Sequence, residues 1–133
     1  MSAAAEAFVD TNVLLYLFSA DASKADRAEE VVSRGGVVSV QVLNEFASVA
    51  TRKLGMRVRE AVEALEAIRA VCRTVGLQEE THDLGMRIAD RYGLPIYDAM
   101  IAASARLAGC RVILSEGMQD GMIIEGVRVR DPF

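Results

Sequence analysis

Short apolar runs alternate along the chain with longer stretches in which apolar residues recur every three to four positions, the rhythm of strands separated by helices. Residues 7–9 read as a short buried strand, followed by the polar step Asp10-Thr11-Asn12 and an apolar helix over 13–18. A second helix over 25–34 is ended by Gly35 and Gly36, and Val37, Val38, Ser39 and Val40 form the next strand. Helical spacing resumes over 41–53 and again over 57–72. Residues 74–77 make a short strand, and a helix over 80–92 is stopped by Gly93 and Pro95. The last helix covers 98–108 and closes at Gly109; strands follow at 111–114 and, at the sheet edge, at 126–129. Strands separated by helices predict an α/β fold, a parallel sheet with helices on both faces.

Size and composition agree with that picture. The 133 residues are expected to form a single domain over 1–133, long enough to bury roughly two-thirds of the unfolded surface. A hydrophobic fraction of 52% with 26% charged residues is the balance of a globular chain, not a disordered one. The strongest apolar run, 13–18, is too short to span a bilayer. The N-terminus lacks the basic region of a secretory leader, so a cytoplasmic protein without membrane contact is expected. Cys72 and Cys110 have no C-x-x-C spacing and read as reduced core thiols.

The net charge of −4 excludes a general polyanion binder, because nonspecific nucleic-acid affinity comes from cations neutralising phosphates. Any nucleic-acid contact must be local. Arg52, Lys53, Arg57, Arg59, Arg69 and Arg73 gather in one stretch and suit a phosphate backbone. Pairing with Glu60, Glu63 and Glu66 at helical spacings explains the same residues as a solvated helix face.

The acids carry the candidate chemistry, because in an open α/β sheet the ligand crevice lies beyond the carboxyl ends of the strands. Asp10 directly follows the first strand; the alternative reading is a helix N-cap. Glu45 falls within the stripe Val42, Phe46 and Val49, an unusual place for an unpaired acid unless it sits at the rim or on Arg52. Asp98 opens a helix whose inner face is Ile101, Ala102 and Ala105, and N-capping after Pro95 is its other explanation. Three carboxylates converging on one crevice repel: a pair near 4 Å costs about 4 kcal/mol at an effective dielectric near 20. Raised proton affinities or a cation relieve this, and oxygen-only ligation suits Mg²⁺ or Mn²⁺. With His82 the single histidine, a histidine-pair nuclease is excluded; His82 itself reads as a surface or capping residue.

Phe8-Val9-Asp10-Thr11-Asn12-Val13-Leu14, Asn44-Glu45-Phe46 and Tyr97-Asp98-Ala99-Met100-Ile101-Ala102-Ala103, then Ala105, resemble the PIN domain over essentially the whole chain. They look most like the compact toxins of VapBC-type toxin–antitoxin pairs. The resemblance implies a PIN-like three-layer α/β/α fold around a mostly parallel five-strand sheet. It also implies Mg²⁺- or Mn²⁺-dependent cleavage of RNA, a homodimer, and neutralisation by a small antitoxin. Position by position, it makes Asp10 and Asp98 metal ligands, Glu45 a ligand directly or through water, and Thr11 and Asn12 supports of the site. Ser115 is a further candidate, as a hydrogen-bond donor to the scissile phosphate or a metal water.

The resemblance breaks after the fourth strand, where the family expects another Asp and this chain reads Ser115-Glu116-Gly117-Met118-Gln119-Asp120. Gly117 stands at the expected acid, and Glu116 or Asp120 is the candidate substitute. Two other classes compete with the nuclease. A haloacid-dehalogenase-type phosphatase needs a second Asp two residues after the first and a downstream lysine. Asn12 occupies that position, and no lysine follows Lys53. A PIN-like module that binds RNA or a partner without turnover is the reading that Gly117 motivates.

Overall fold

The computed structural model describes residues 6–133; residues 1–5, on which the leader expectation mainly falls, lie outside the described residues. The elements are β1 (Ala7–Val9), α1 (Thr11–Tyr16), α2 (Ala22–Ser33), β2 (Gly36–Ser39), α3 (Val40–Arg52), α4 (Val58–Val71), β3 (Cys72–Val75), α5 (Glu79–Tyr92), α6 (Ile96–Leu107), β4 (Val112–Leu114), β5 (Ile123–Ile124) and β6 (Val127–Arg130). Several helices begin before their apolar periodicity does, because a polar residue caps each start. The Asp10 carboxylate accepts from the Thr11 N–H, Asp21 accepts from Ser23 and Lys24, and Ser39 accepts from Val42.

The strands form one sheet in the order β3-β2-β1-β4-β6-β5. Every neighbouring pair is parallel except β5 and β6. The mostly parallel α/β architecture is as expected; the strand count is six instead of five. The extra strand, β5, has only two residues, too few for an alternating pattern to stand out. It occupies the edge in place of the strand expected there, so β6 lies inside the sheet, with Val127 and Val129 buried and Arg128 and Arg130 exposed.

Helices α1 to α4 pack on one another on one side of the sheet, and α5 and α6 pair on the other, with α6 touching β2, β4 and β6. This follows from right-handed crossovers: the chain steps from β1 to β2 to β3 in one direction, then returns past β1 to β4. Phe8, Val9, Val37, Val38, Ile113 and Val129 fill the centre with no exposed surface. Cys72 and Cys110 are buried free thiols. Burial raises the Cys110 pKa to about 11. The small-residue face of α6, Ala99, Ala102, Ala103 and Ala105, brings its backbone close to the strands. The α5–α6 contact is closer still: a Cβ on Gly85 would collide with the Met100 sulfur. No helix among the described residues is long and apolar enough to cross a membrane.

Candidate active site

The direction of chain progression reverses between β1 and β4, which makes the space beyond their carboxyl ends the natural crevice of the sheet. Asp10 leaves β1 there, and Ser115 leaves β4 beside it. The Ser115 hydroxyl donates to Asp10 Oδ2 at 2.8 Å. Asn12 stitches the same corner together. Its Nδ2 donates to Asp10 Oδ2 at 3.2 Å and to Ser115 Oγ at 3.3 Å, while its Oδ1 accepts from the Glu116 N–H at 3.0 Å. Ser115 Oγ also accepts from the Gly117 and Met118 N–H groups. The single hydroxyl proton of Ser115 is thus committed to Asp10, and its lone pairs to three N–H groups, so it supports the acid and has no proton left for a phosphate.

Asp10 is both of the things its position suggested: it caps α1 through Thr11 at 2.8 Å, and it sits 8% exposed at the crevice. Burial raises its pKa, and the hydrogen bonds from Ser115, Thr11 and Asn12 only partly offset that. Glu45 lies on the apolar face of α3, half-buried, and is not on Arg52, whose Nε donates to the Ser48 carbonyl. Desolvation raises its pKa first, and the charges of Asp10 and Asp98 raise it further. Asp98 is not an N-cap, the alternative reading of its position. Pro95 holds that position, and Asp98 stands in the first turn of α6 with its own pKa raised by desolvation and then by Asp10. The three acids therefore feel one another, and no lysine or arginine forms an ion pair with any of them among the described residues.

Gln41 is a member of this site that the motifs did not mark. Buried at the start of α3, it donates through Nε2 to Glu45 Oε1 at 2.8 Å and to the Tyr97 carbonyl at 3.2 Å, tying Glu45 to the turn that presents Asp98. Its i,i+4 spacing from Glu45 was the available signal. Thr11 is buried with its hydroxyl unpartnered among the described residues.

The structure engages the two substitute acids with other partners. Glu116 accepts a hydrogen bond from Tyr16 at 2.8 Å and forms an ion pair with Lys24 at 3.0 Å, the two together lowering its pKa. Asp120 is exposed and accepts from the Asp131 N–H at 2.8 Å. Gly117 lies next to Asn12 with an ordinary backbone conformation, and a Cβ there would meet Asn12 Nδ2 at 3.4 Å. Of the basic cluster, Arg57 pairs with Glu60 and Arg73 with Glu6. His82 is exposed in the first turn of α5.

Whether these residues suit a divalent cation is a question of donor chemistry. Asp98 has no hydrogen-bond donor, and Glu45 Oε2 none either, among the described residues. Both carry raised proton affinity, the mark of carboxylates that gain from a cation. Hard oxygen donors of this kind match Mg²⁺ or Mn²⁺. Among the described residues no three His, Cys, Asp or Glu side chains form a ready-made cage for an ion. The donor set fits, while the cage is not closed.

A profile of the PIN domain family matches residues 7–118. The chain belongs to the PIN domain family. No curated protein sequence matches it. Among solved structures, this PIN domain is similar to a toxin–antitoxin complex from Klebsiella pneumoniae, at 20% identity and a TM-score of 0.72 over 96% of this chain and 98% of that one. It is also similar to VapC20 from Mycobacterium tuberculosis, described as a sarcin–ricin loop cleaving toxin, at 24% identity and a TM-score of 0.67 over 91% and 98% of the two chains. A third is the DNA-bound VapBC of Salmonella typhimurium, at 18% identity and a TM-score of 0.72 over 98% and 100%. At these identities the likeness establishes a shared fold, the three-layer PIN fold expected from the motifs.

Proposed function

We propose that this PIN domain is a divalent-metal-dependent endoribonuclease and the toxin of a toxin–antitoxin pair. The observation that carries the proposal is the grouping of Asp10, Glu45 and Asp98 at the switch point, each with its pKa raised and none with a cationic side chain. Asp10, Asp98 and Glu45 would hold Mg²⁺ or Mn²⁺. The chemistry such an ion supplies is activation of water and neutralisation of charge on the phosphate. The chain's own residues prepare the site: Ser115 and Asn12 fix the Asp10 carboxylate, and Gln41 fixes Glu45 while leaving Oε2 free.

The antitoxin reading rests on the fold shared with proteins solved as toxin–antitoxin complexes, and the homodimer reading on the family resemblance of the motifs alone. A surface suited to a partner lies apart from the acids: a trough of about 580 Å³ lined by Phe18, Met56, Ala64 and Val71 and rimmed by Glu60 and Glu63. Its apolar floor and acidic rim favour an amphipathic helix bearing basic residues. Purified protein incubated with mixed RNA under Mg²⁺, Mn²⁺ or EDTA tests the nuclease reading directly. Metal-dependent cleavage that disappears in folded Asp10→Asn and Asp98→Asn supports it, and cleavage that persists in either variant or in EDTA overturns it.

Gly117 favours a second reading, a PIN domain that binds RNA or a partner without cutting. Wild-type protein that binds RNA under Mn²⁺ and never cleaves it would establish that reading instead.

A further inference from the structure

Beside the acids lies a recess that hydrolysis alone does not need. It has a volume of about 310 Å³ between the first turns of α5 and α6, and Gln41, Leu77, Gln78, His82, Ile96 and Tyr97 line it. Its walls are mostly apolar, yet Leu77 and Ile96 are each 45% exposed and Tyr97 is 70% exposed. Three large apolar side chains thus stand in water around a concave slot, next to Asp98. Gln41 makes the slot continuous with the acids. Its two amide hydrogens are taken by Glu45 and the Tyr97 carbonyl, and its amide oxygen has no donor among the described residues.

An RNA strand approaching this crevice meets carboxylates, on a chain whose net charge is −4. Cationic neutralisation of phosphates, the usual source of affinity, is therefore weak here. Single-stranded RNA has a second source of affinity, the stacking of unpaired bases on aromatic side chains. A recess with an exposed tyrosine ring and an unused acceptor in its wall matches a base, which has apolar faces and N–H groups along its edge. The volume stands at the lower end of the roughly 300–1,000 Å³ typical of ligand pockets, right for one base and not for several. A second copy of the chain would need a surface of about 800 Å² per partner, whereas these side chains frame a recess.

We infer that the recess is a nucleobase subsite, in which Tyr97 stacks on a base of the strand whose phosphate faces Asp10, Glu45 and Asp98. The inference rests on the ribonuclease reading and names Tyr97 and Gln41 as its substrate-positioning residues.

His82 is the only histidine of the chain, so its ring C–H resonances report uniquely from the wall of the slot. The full chain in Mg²⁺ is titrated with the four ribonucleoside 5′-monophosphates, none of which has a diester to cut, and with ribose 5-phosphate. At least one nucleotide should move the His82 resonances saturably while ribose 5-phosphate does not. Tyr97→Ala should weaken that binding about 5- to 150-fold, the loss of one base stack, and Tyr97→Phe should preserve it. Tyr97 is mostly exposed, so its truncation leaves the fold intact, which circular dichroism verifies. The inference is overturned if no nucleotide moves His82, if ribose 5-phosphate moves it equally, or if Tyr97→Ala binds as the parent does. Resonances that follow protein concentration and ignore nucleotide would overturn it in favour of a second copy in the slot. Nucleotide binding by a parent that cuts no RNA removes the nuclease and keeps the subsite, while cleavage without nucleotide binding removes the subsite alone.

Discussion

Replacing Gly117 by Asp tests whether the gap in the acidic centre is electrostatic in the way its geometry implies. Position 117 has no left-handed backbone, and an added Cβ meets nothing closer than 3.4 Å, so the substitution carries little steric cost. That contact is Asn12 Nδ2, which in turn lies 3.2 Å from Asp10 Oδ2. The new Cβ is therefore within about 6.6 Å of that oxygen and its carboxylate within about 9 Å, a distance at which two unit charges repel by about 1.8 kcal/mol at an effective dielectric of 20. Exposure of residue 117 screens this to about 1 kcal/mol. Without a divalent ion at pH 7, Gly117→Asp should be less stable than the parent by that amount in urea denaturation. The deficit should close as pH falls and the clustered carboxylates take up protons. A fourth acid also strengthens the attraction for a cation, so calorimetric titration should give Mn²⁺ affinity at least tenfold above the parent's, with saturating Mn²⁺ erasing the stability deficit. Unchanged Mn²⁺ affinity together with unchanged stability in EDTA would refute the argument, because residue 117 would then not share the field of Asp10.

Three further outcomes follow from the same site. Asp10, Glu45 and Asp98 bind protons more tightly in the fold than their ordinary values of 3.8, 4.5 and 3.8. Their ionisation therefore destabilises the metal-free fold at neutral pH, and this is relieved as pH falls through the raised values, fully so below the ordinary ones. Since Glu60 and Glu116 are shifted the opposite way, the clean readout is the difference between parent and Asp98→Asn. The variant should be the more stable of the two in EDTA at pH 7, with the gap shrinking toward pH 4; a gap independent of pH contradicts the assignment. Ser115→Ala removes a fully buried hydroxyl that serves Asp10, Asn12 and two backbone N–H groups. It should cost about 1–3 kcal/mol in urea denaturation, and a loss below 0.5 kcal/mol would show that water replaces the hydroxyl freely. Glu116→Gln should leave the metal dependence of any RNA cleavage unaltered, because that carboxylate is engaged by Tyr16 and Lys24; a hundredfold fall in rate would restore it to the catalytic group.

Much of the proposed centre was legible as a candidate because its acids are marked by what precedes and surrounds them. Asp10 follows an apolar triplet, Glu45 interrupts an apolar stripe, and Asp98 opens a run of small residues. The network that holds them was not legible, because it joins residues far apart in the chain. Ser115 reaches Asp10 across 105 positions, and Glu116 finds Lys24 across 92. Local sequence presents Glu116 as a plausible ligand, and only the placement of α1 and α2 reveals its partners. Helix starts were misread where capping decided them: Asp21 starts α2 at Ala22, earlier than the apolar rhythm does. At α6, Pro95 takes the N-cap without any side-chain hydrogen bond and moves Asp98 into the helix. The sheet edge was misread because β5 gains its strand identity from pairing with β6, which two residues cannot announce.

The brevity of β5 also governs how the molecule meets its neighbours at high concentration. A visiting strand adds to a sheet by matching a row of free backbone groups, and long flat edges invite such growth. Here one margin ends in a two-residue strand turned antiparallel by a tight bend at Glu125 and Gly126, both at positive φ. Arg106 grips the Glu125 carbonyl, and the Glu125 N–H donates to the Tyr92 hydroxyl. At the other margin, β3 carries Arg73 clamped to Glu6 and to the Ala108 carbonyl. A parallel core is in this way fitted with two short, fastened borders, one of them the antiparallel β5–β6 hairpin, that discourage fibrous self-association.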